Sequence, residues 1–452
     1  LKMLKLFGIL LFCGLLCPSQ EALSGLACAV SPEAMQHVLS DAILQNGLLQ
    51  QHLHGLVVPS ILSDGGLLNS PTIISGLHLV RVRRPKLSVL LLSDVGVQLA
   101  ISTKLELSGN CLIGLLSELI DILVDVRISA NIKCTNFKSG TVQLVIEDCL
   151  CIVGAVKVKL LSGLLTLSVN EIVLGQLTAT LPSLLCPVLE IVVNLVNIQL
   201  IGTLNEVIPM GTAGTIHYQL ASLPFTSGLF LGLELDGTVK RVGGSVIPYD
   251  SSSSPSVLPP LLEKLLVLVL RQSFLNAVLA LLIHIPAHTF PCSPDVFSSA
   301  LPLQEAIRTL VPADCSACRG SGPLSIRLTL AGDPVLLLEE RKASLKLLAL
   351  LQVSVKRADG AMLSLLLLKA DLSLNVHLSI VGGRLLLALS PGSTSLSLES
   401  SDVGITDISL LKPHCSTLLL ETLLPIVNGA LLNGIPLPNI LGIAFIGVEI
   451  RI

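Results

Sequence analysis

Cys315-Ser316-Ala317-Cys318 is the stretch of this chain whose spacing most resembles a metal or redox site. A structural zinc centre needs four ligands, and no second cysteine pair or histidine lies within 25 residues of it. Disulfide bonding within the second half of the chain is therefore the expected fate of these thiols. His52-Leu53-His54 and His284 with His288 are the close histidine pairs. Pro286 falls between the latter two and forbids a regular i, i+4 helical pair, so both sets read as surface or loop histidines. The chain has no Gly-x-Ser-x-Gly elbow, no phosphate-cradling glycine loop and no His-Glu-x-x-His, and Gly243-Gly244-Ser245 lacks a closing glycine. An enzyme would have no residues to work with, and neither cofactor nor metal is expected.

The one cationic cluster is Arg81, Arg83, Arg84 and Lys86. It reads first as a solvated turn or strand face and second as a contact for anionic headgroups. Between Gly25 and Met210 there are ten Lys/Arg against thirteen Asp/Glu, and the whole chain carries a net charge of −3. That balance argues against polyanions, so nucleic acid is not expected as a partner.

What could position these groups is an unusually greasy chain. Of its 452 residues 51% are hydrophobic, only 2% are aromatic, and Trp is absent; the mean hydropathy is +0.82. Past residue 24 no uncharged apolar run is read as reaching the roughly 18 residues of a spanning helix. The closest, Leu265 to Ile285, is broken by Arg271, Gln272 and Asn276. The aliphatic excess points instead to an interior larger than the chain needs for itself, as a lipid-like ligand would require. Residues 1–24 combine Lys2 and Lys5, the apolar Leu6 to Leu16 and Ala22-Leu23-Ser24, the layout of a secretory signal peptide cleaved after Ser24, with Met3 as initiator. A secreted, extracellular protein is expected, with ten cysteines left after cleavage. No permitted Asn-x-Ser/Thr sequon exists, since Asn69-Ser70 is followed by Pro71.

Period-2 alternation marks most of the chain as sheet. Val97, Leu99, Ile101, Thr103, Leu105 and Leu107 share one face of a strand over 95–107, with Gln98, Ser102, Lys104 and Glu106 on the other. Further strands read at 77–83, 86–92, 125–135 and on both sides of Cys149. In the second half they read at 324–330, 335–341, 344–355, 362–380, 384–389 and 395–399. Helical spacing appears over 29–56, with Ser31 and Pro32 as N-cap and N1, and over 184–200, 261–283 and about 415–433. A terminal strand is expected over 440–452. Residues 207–260 differ: Pro209, Gly211, Gly214, Pro224, Gly228, Gly243-Gly244 and the Ser251 to Pro260 run punctuate short strands and read as a junction. Helix, strands and helix thus occur twice, once on each side of it.

Several pieces resemble the bactericidal/permeability-increasing, lipopolysaccharide-binding and palate-lung-nasal-clone (BPI/LBP/PLUNC) superfamily in its long two-domain form. They are Glu147-Asp148-Cys149 with Leu185-Cys186-Pro187, Pro209-Met210-Gly211, Val335 to Leu345, Ser401-Asp402-Val403-Gly404 and Gly434-Ile435-Pro436-Leu437-Pro438. The resemblance spans essentially all of the chain after residue 24. It implies an α+β, two-domain boomerang, each domain a strongly twisted antiparallel β-barrel packed with two long helices, the two joined by a central β-sheet. The boundaries are a signal peptide over 1–24, a first barrel over 25–206, central strands and linker over 207–260, a second barrel over 261–435 and a returning strand over 436–452. The family's strand-to-helix disulfide maps onto Cys149 and Cys186; Cys151 is then free or paired with Cys134 or Cys111.

Family barrels hold phospholipid or a similar apolar ligand against their helices. On that footing Val188, Ile191, Val192 and Leu195 in the first domain, and Leu268, Leu275, Leu279 and Leu282 in the second, are the candidate lining residues. The function expected is binding of lipid or another hydrophobic ligand by a secreted protein. Recognition of bacterial envelope lipopolysaccharide or a membrane surface through Arg81, Arg83, Arg84 and Lys86 is the alternative, and a structural surface-active role is a third.

Overall fold

The computed structural model describes residues 25–63, 71–93, 96–138, 140–160, 166–250, 261, 263–315, 318 and 322–445. The expected signal peptide over 1–24, the 251–260 stretch expected as linker and residues 446–452 of the expected terminal strand lie outside these.

The chain begins with β1 (Leu26–Val30), α1 (Pro32–Ser40), a π-turn over Asp41–Gln45 and α2 (Leu48–Leu53). The Ala34 amide donates to the Ser31 hydroxyl at 3.0 Å, the expected N-cap, with Pro32 at the first helical position. An antiparallel sheet of β2 (Ile61–Ser63), β3 (Thr72–Leu92), β4 (Gly96–Ile113), β5 (Leu116–Lys138) and β6 (Thr141–Leu160) follows in chain order. Its strands are longer than the pattern suggested because register shifts, such as those between Ser75 and His78 and between Arg83 and Lys86, carry the ladder through breaks in the alternation. α3 (Thr166–Val196) packs on β6 and runs into a second π-turn, Asn197–Ile201.

The junction residues form a central sheet. It comprises β7 (Glu206–Met210), β8 (Gly214–Leu220), β9 (Phe225–Thr226) and β10 (Leu231–Arg241), joined by β1 and by β11 (Leu266–Leu270) in the order β11-β1-β10-β8-β7, with β9 on β10. The second half opens with α4 (Gln272–Leu282), β12 (His288–Pro291) and α5 (Ala300–Leu310). Its sheet then takes β13 (Leu324–Leu330), β14 (Val335–Glu339), β15 (Lys342–Lys356), β16 (Met362–Val381) and β17 (Arg384–Ser400). α6 (Lys412–Leu418), a third π-turn at Leu419–Leu423, α7 (Leu424–Leu431) and β18 (Ile435–Pro436) complete it. The order there is β12-β13-β15-β16-β17-β18, with β14 on β15.

Three expectations change. The helix expected over 261–283 is β11 followed by α4: Leu266-Val267-Leu268-Val269-Leu270 is a short apolar run that suits strand or helix alike, and pairing of Leu268 with Cys28 of β1 decides it. Residues 437–445 are not strand; they are irregular, with a turn at Leu441-Gly442. The stretch nearest to a membrane-spanning helix by length and composition is Val169–Leu204 rather than Leu265 to Ile285. Here it is a core helix that buries Val169, Val173, Leu177, Leu181, Leu185 and Leu189 against the sheet.

The two outer sheets are open paths of ladders; among the described residues no ladder joins β6 to β2 or β18 to β12. Bare strand edges leave backbone groups unpaired, and asparagines from the helices satisfy several of them. The Val158 amide of β6 donates to Asn170 Oδ1 at 2.9 Å, and Asn197 Nδ2 donates to the Val142 carbonyl at 3.4 Å. In the second half the Leu336 amide of β14 donates to Asn276 Oδ1 at 2.7 Å. Asn428 of α7 serves both groups of Leu389 in β17, at 2.9 and 3.1 Å. Asn428→Leu strands an amide and a carbonyl together, and is expected to lower stability by about 2–3 kcal/mol, read as a lower urea midpoint. An unchanged midpoint would show that solvent serves the edge equally well.

Both tyrosines of this aromatic-poor chain sit at the joint. Tyr218 of β8 is fully buried and its hydroxyl donates to the Pro436 carbonyl at 2.7 Å, tying the central sheet to β18. Phe274 of α4 packs against Tyr218 and Tyr249, with ring centroids 6.1 and 5.7 Å apart. Gly237 has no side chain because a Cβ there would meet the Phe274 ring at 2.5 Å.

Candidate functional site: an apolar cavity beside the central sheet

An apolar, partly open cavity lies where the first outer sheet meets the central sheet. Its floor is Val97 and Leu99 of β4, Ile132 and Cys134 of β5, and Leu144 of β6. These residues share the inward pleat: Val97 pairs with Ile132, and Cys134 with Leu144. One wall is Met35 and Leu39 of α1 with Ile43 of the first π-turn. The facing wall is Val193 and Val196 at the end of α3, with Leu200 and Ile201 of the second π-turn. Pro224, Leu231 and Leu233 of the central sheet region close one end, together with Leu441 from the far end of the chain. Leu441 is buried and held at φ 54°, a conformation bulky side chains rarely take.

Cys134 is the sole ionisable lining residue, and burial pushes its thiol up to about 11. It is therefore neutral at pH 7 and a weak nucleophile. The cavity encloses about 60 Å³ of free space, against the roughly 150 Å³ of an engineered apolar cavity that takes benzene. Its walls must part to admit an alkyl chain. The two π-turns are the natural places to yield, since each departs from regular helical hydrogen bonding.

None of the eight candidate lining residues borders this cavity. Val188 and Val192 are buried on α3, and Leu195 is half-buried. Ile191 is a correction: it is 47% exposed, on the solvent side of α3. Leu268 is another, lying in β11 and not on a helix. Leu275 and Leu279 are buried on α4, which packs on β10 and β14, and Leu282 is half-buried at its end. The cavity instead takes Val193 and Val196, interleaved with the candidates on α3. Sequence periodicity locates a helix's apolar stripe but not which of its residues meets a given neighbour.

Cys149 and Cys186 are disulfide-bonded, with Cα atoms 6.0 Å apart, fixing α3 to β6. Cys151 is a free thiol, as are Cys134 and Cys111, so neither alternative pairing of Cys151 occurs. Cys315 and Cys318 are bonded to each other. Among the described residues no group of three His, Cys, Asp or Glu could hold a metal ion. Arg81, Arg83, Arg84 and Lys86 are exposed along the middle of β3, away from the cavity, and Arg83 is ion-paired with Glu106. One apolar surface feature was missed altogether. At the β4–β5 hairpin Leu112, Leu116 and Leu119 are exposed and Leu115 is fully so (101%).

Comparison with known proteins matches this architecture twice along the chain. The model of the LBP / BPI / CETP family N-terminal domain matches residues 41–198, and that of the family's C-terminal domain matches residues 301–452. BPI fold-containing family B member 4 of Homo sapiens is 35% identical over 397 residues, 86% of this chain and 64% of that protein. The chain thus spans less than two thirds of that relative's length. BPI fold-containing family B member 3 of Mus musculus is 29% identical over 373 residues, 82% of this chain and 78% of that protein. The crystal structure of lipopolysaccharide binding protein superposes with a TM-score of 0.59 at 18% identity, covering 92% of this chain and 93% of that one; the fold is shared. With both domain models matched in order across an α+β fold of two outer sheets and a central one, the chain belongs to the LBP / BPI / CETP family as a long two-domain member.

Proposed function

We propose that this chain is a secreted, non-enzymatic binding protein that holds the acyl portion of a phospholipid or comparable amphiphile in the cavity beside the central sheet. The observation that carries the reading is the lining itself: aliphatic side chains from the first outer sheet, from α1 and α3 with their π-turns and from the central sheet converge there, with Cys134 as the one ionisable group. Each methylene moved from water into such a wall contributes about 0.8 kcal/mol, so affinity needs no charged partner. Family membership supports the same reading, and the fold neighbour is named for binding lipopolysaccharide. For this chain lipopolysaccharide is the narrower alternative. The cations expected to grip its phosphates lie away from the cavity, and Arg83 is already matched by Glu106. Solvent extraction of the purified protein followed by reloading with phosphatidylcholine tests the proposal: lipid should be recovered and taken up again, and a protein that neither releases nor accepts lipid would refute it.

The hairpin leucines favour a second, compatible role, contact with a lipid surface. Leu112 and Leu119 lie on the outer face of β4 and β5, on diagonal positions beyond which the same face turns polar with Ser108 and Asp121. Gly114, at φ 60°, lets the turn present Leu115 and Leu116 outward. With Glu118 and Asp121 nearby rather than a cationic cluster, the surface that fits is zwitterionic. Serine at both 115 and 116 should weaken association with phosphatidylcholine vesicles by about 3 kcal/mol, or roughly a hundredfold. Equal binding by the variant would remove the hairpin from the account.

A further inference from the structure

We infer that Cys292 and Cys415 form a second strand-to-helix disulfide, the counterpart in the C-terminal half of the Cys149–Cys186 bond. Both thiols are buried and unbonded in this structure. Cys292 directly follows β12, and its Sγ donates to the carbonyl of Ala300, the first residue of α5, at 3.5 Å. Cys415 lies on α6, and the carbonyl of the preceding His414 accepts from the Ser299 hydroxyl at 3.1 Å. Cys292 thus touches Ala300 while the residue before Cys415 touches Ser299, which brings both cysteines to one corner, the Ser299-Ala300 step at the start of α5. Ser298, just before α5, fastens that end to the third π-turn, its amide and hydroxyl donating to the Glu421 carboxylate at 2.7 and 2.6 Å. The other free thiols are distributed differently. Cys151 lies opposite Ile128, Cys134 opposite Leu144, Cys111 opposite Glu118 and Cys28 opposite Leu233. Among the described residues, Cys292 and Cys415 are the pair that shares neighbours in this way.

Forming the bond removes two protons and two electrons from the thiols. A low-molecular-weight disulfide such as oxidised glutathione supplies the oxidising equivalent. One protein thiolate attacks it and releases a small thiol; the second protein thiolate then attacks the mixed disulfide and releases another. Burial holds both thiols neutral in the finished fold, pushing Cys415 up to about 12. Exchange therefore belongs to folding, before α5 and α6 close over the pair.

The test is refolding of the reduced chain in a glutathione redox buffer. Free thiols are then alkylated in denaturant without reductant, and the chain is digested and mapped by mass spectrometry. A linked Cys292–Cys415 peptide is expected, with Cys28, Cys111, Cys134 and Cys151 alkylated. In Cys415→Ala, Cys292 should become alkylated while the Cys149–Cys186 link persists. Alkylation of both Cys292 and Cys415 in natively folded protein would overturn the inference, and so would a bond from either to another cysteine. If refolding fails, the same mapping on protein secreted from cultured cells gives the same two readings.

Discussion

Serine at both Cys149 and Cys186 is expected to lower the stability of the chain by about 4 kcal/mol. The bond closes a loop of sequence separation 37, and the loop-closure entropy that its loss returns to the unfolded chain is of that size. The effect should appear in urea as a lower midpoint, with a steeper slope if the uncrosslinked unfolded chain expands. A change under 1 kcal/mol would show that the unfolded chain is already confined without the bond, and would remove the loop-closure account. The consequence reaches the cavity, because α3 also carries Val193 and Val196 into its wall. Release of the staple should therefore weaken lipid retention along with stability.

The second large effect is expected from Val193→Trp. An indole in place of the valine side chain exceeds the free space available and should reduce phosphatidylcholine uptake at least tenfold. Overpacking of this kind costs about 1–3 kcal/mol, so the variant should remain folded. Ile191→Trp is the matched control. It adds the same ring two residues away on the same helix, at a position facing solvent, and should leave uptake unchanged. Equal loss in both variants would indicate disturbance of α3 as a whole; equal retention would place the ligand elsewhere.

Much of the fold was legible because its strands alternate without fault. Leu345, Leu347, Ala349, Leu351, Val353 and Val355 are all buried on β15, as period 2 requires. Ser31 and Pro32 likewise announced α1. The failures share a cause in tertiary context. Leu266 to Leu270 could be either strand or helix until β1 lay beside it. Ile191 and Val193 are both apolar residues of an apolar helix, and the 200° between them decides which reaches the cavity. Leu441 enters the N-terminal cavity from the opposite end of the chain, a contact no local pattern encodes. The asparagines were readable in principle: Asn170, Asn276 and Asn428 are polar interruptions of greasy helices, and each meets a strand backbone.

The most direct test of the central claim is a phosphatidylcholine bearing a diazirine in its acyl chain, photolysed on the native protein, with the crosslinked peptides sequenced. Label on the segments holding Met35 to Ile43 and Val193 to Ile201, lost in Val193→Trp, is the predicted result. Label confined to the hairpin at Leu112 to Leu119, or absent from both wall segments, would contradict an internal site and leave the protein a binder of lipid surfaces.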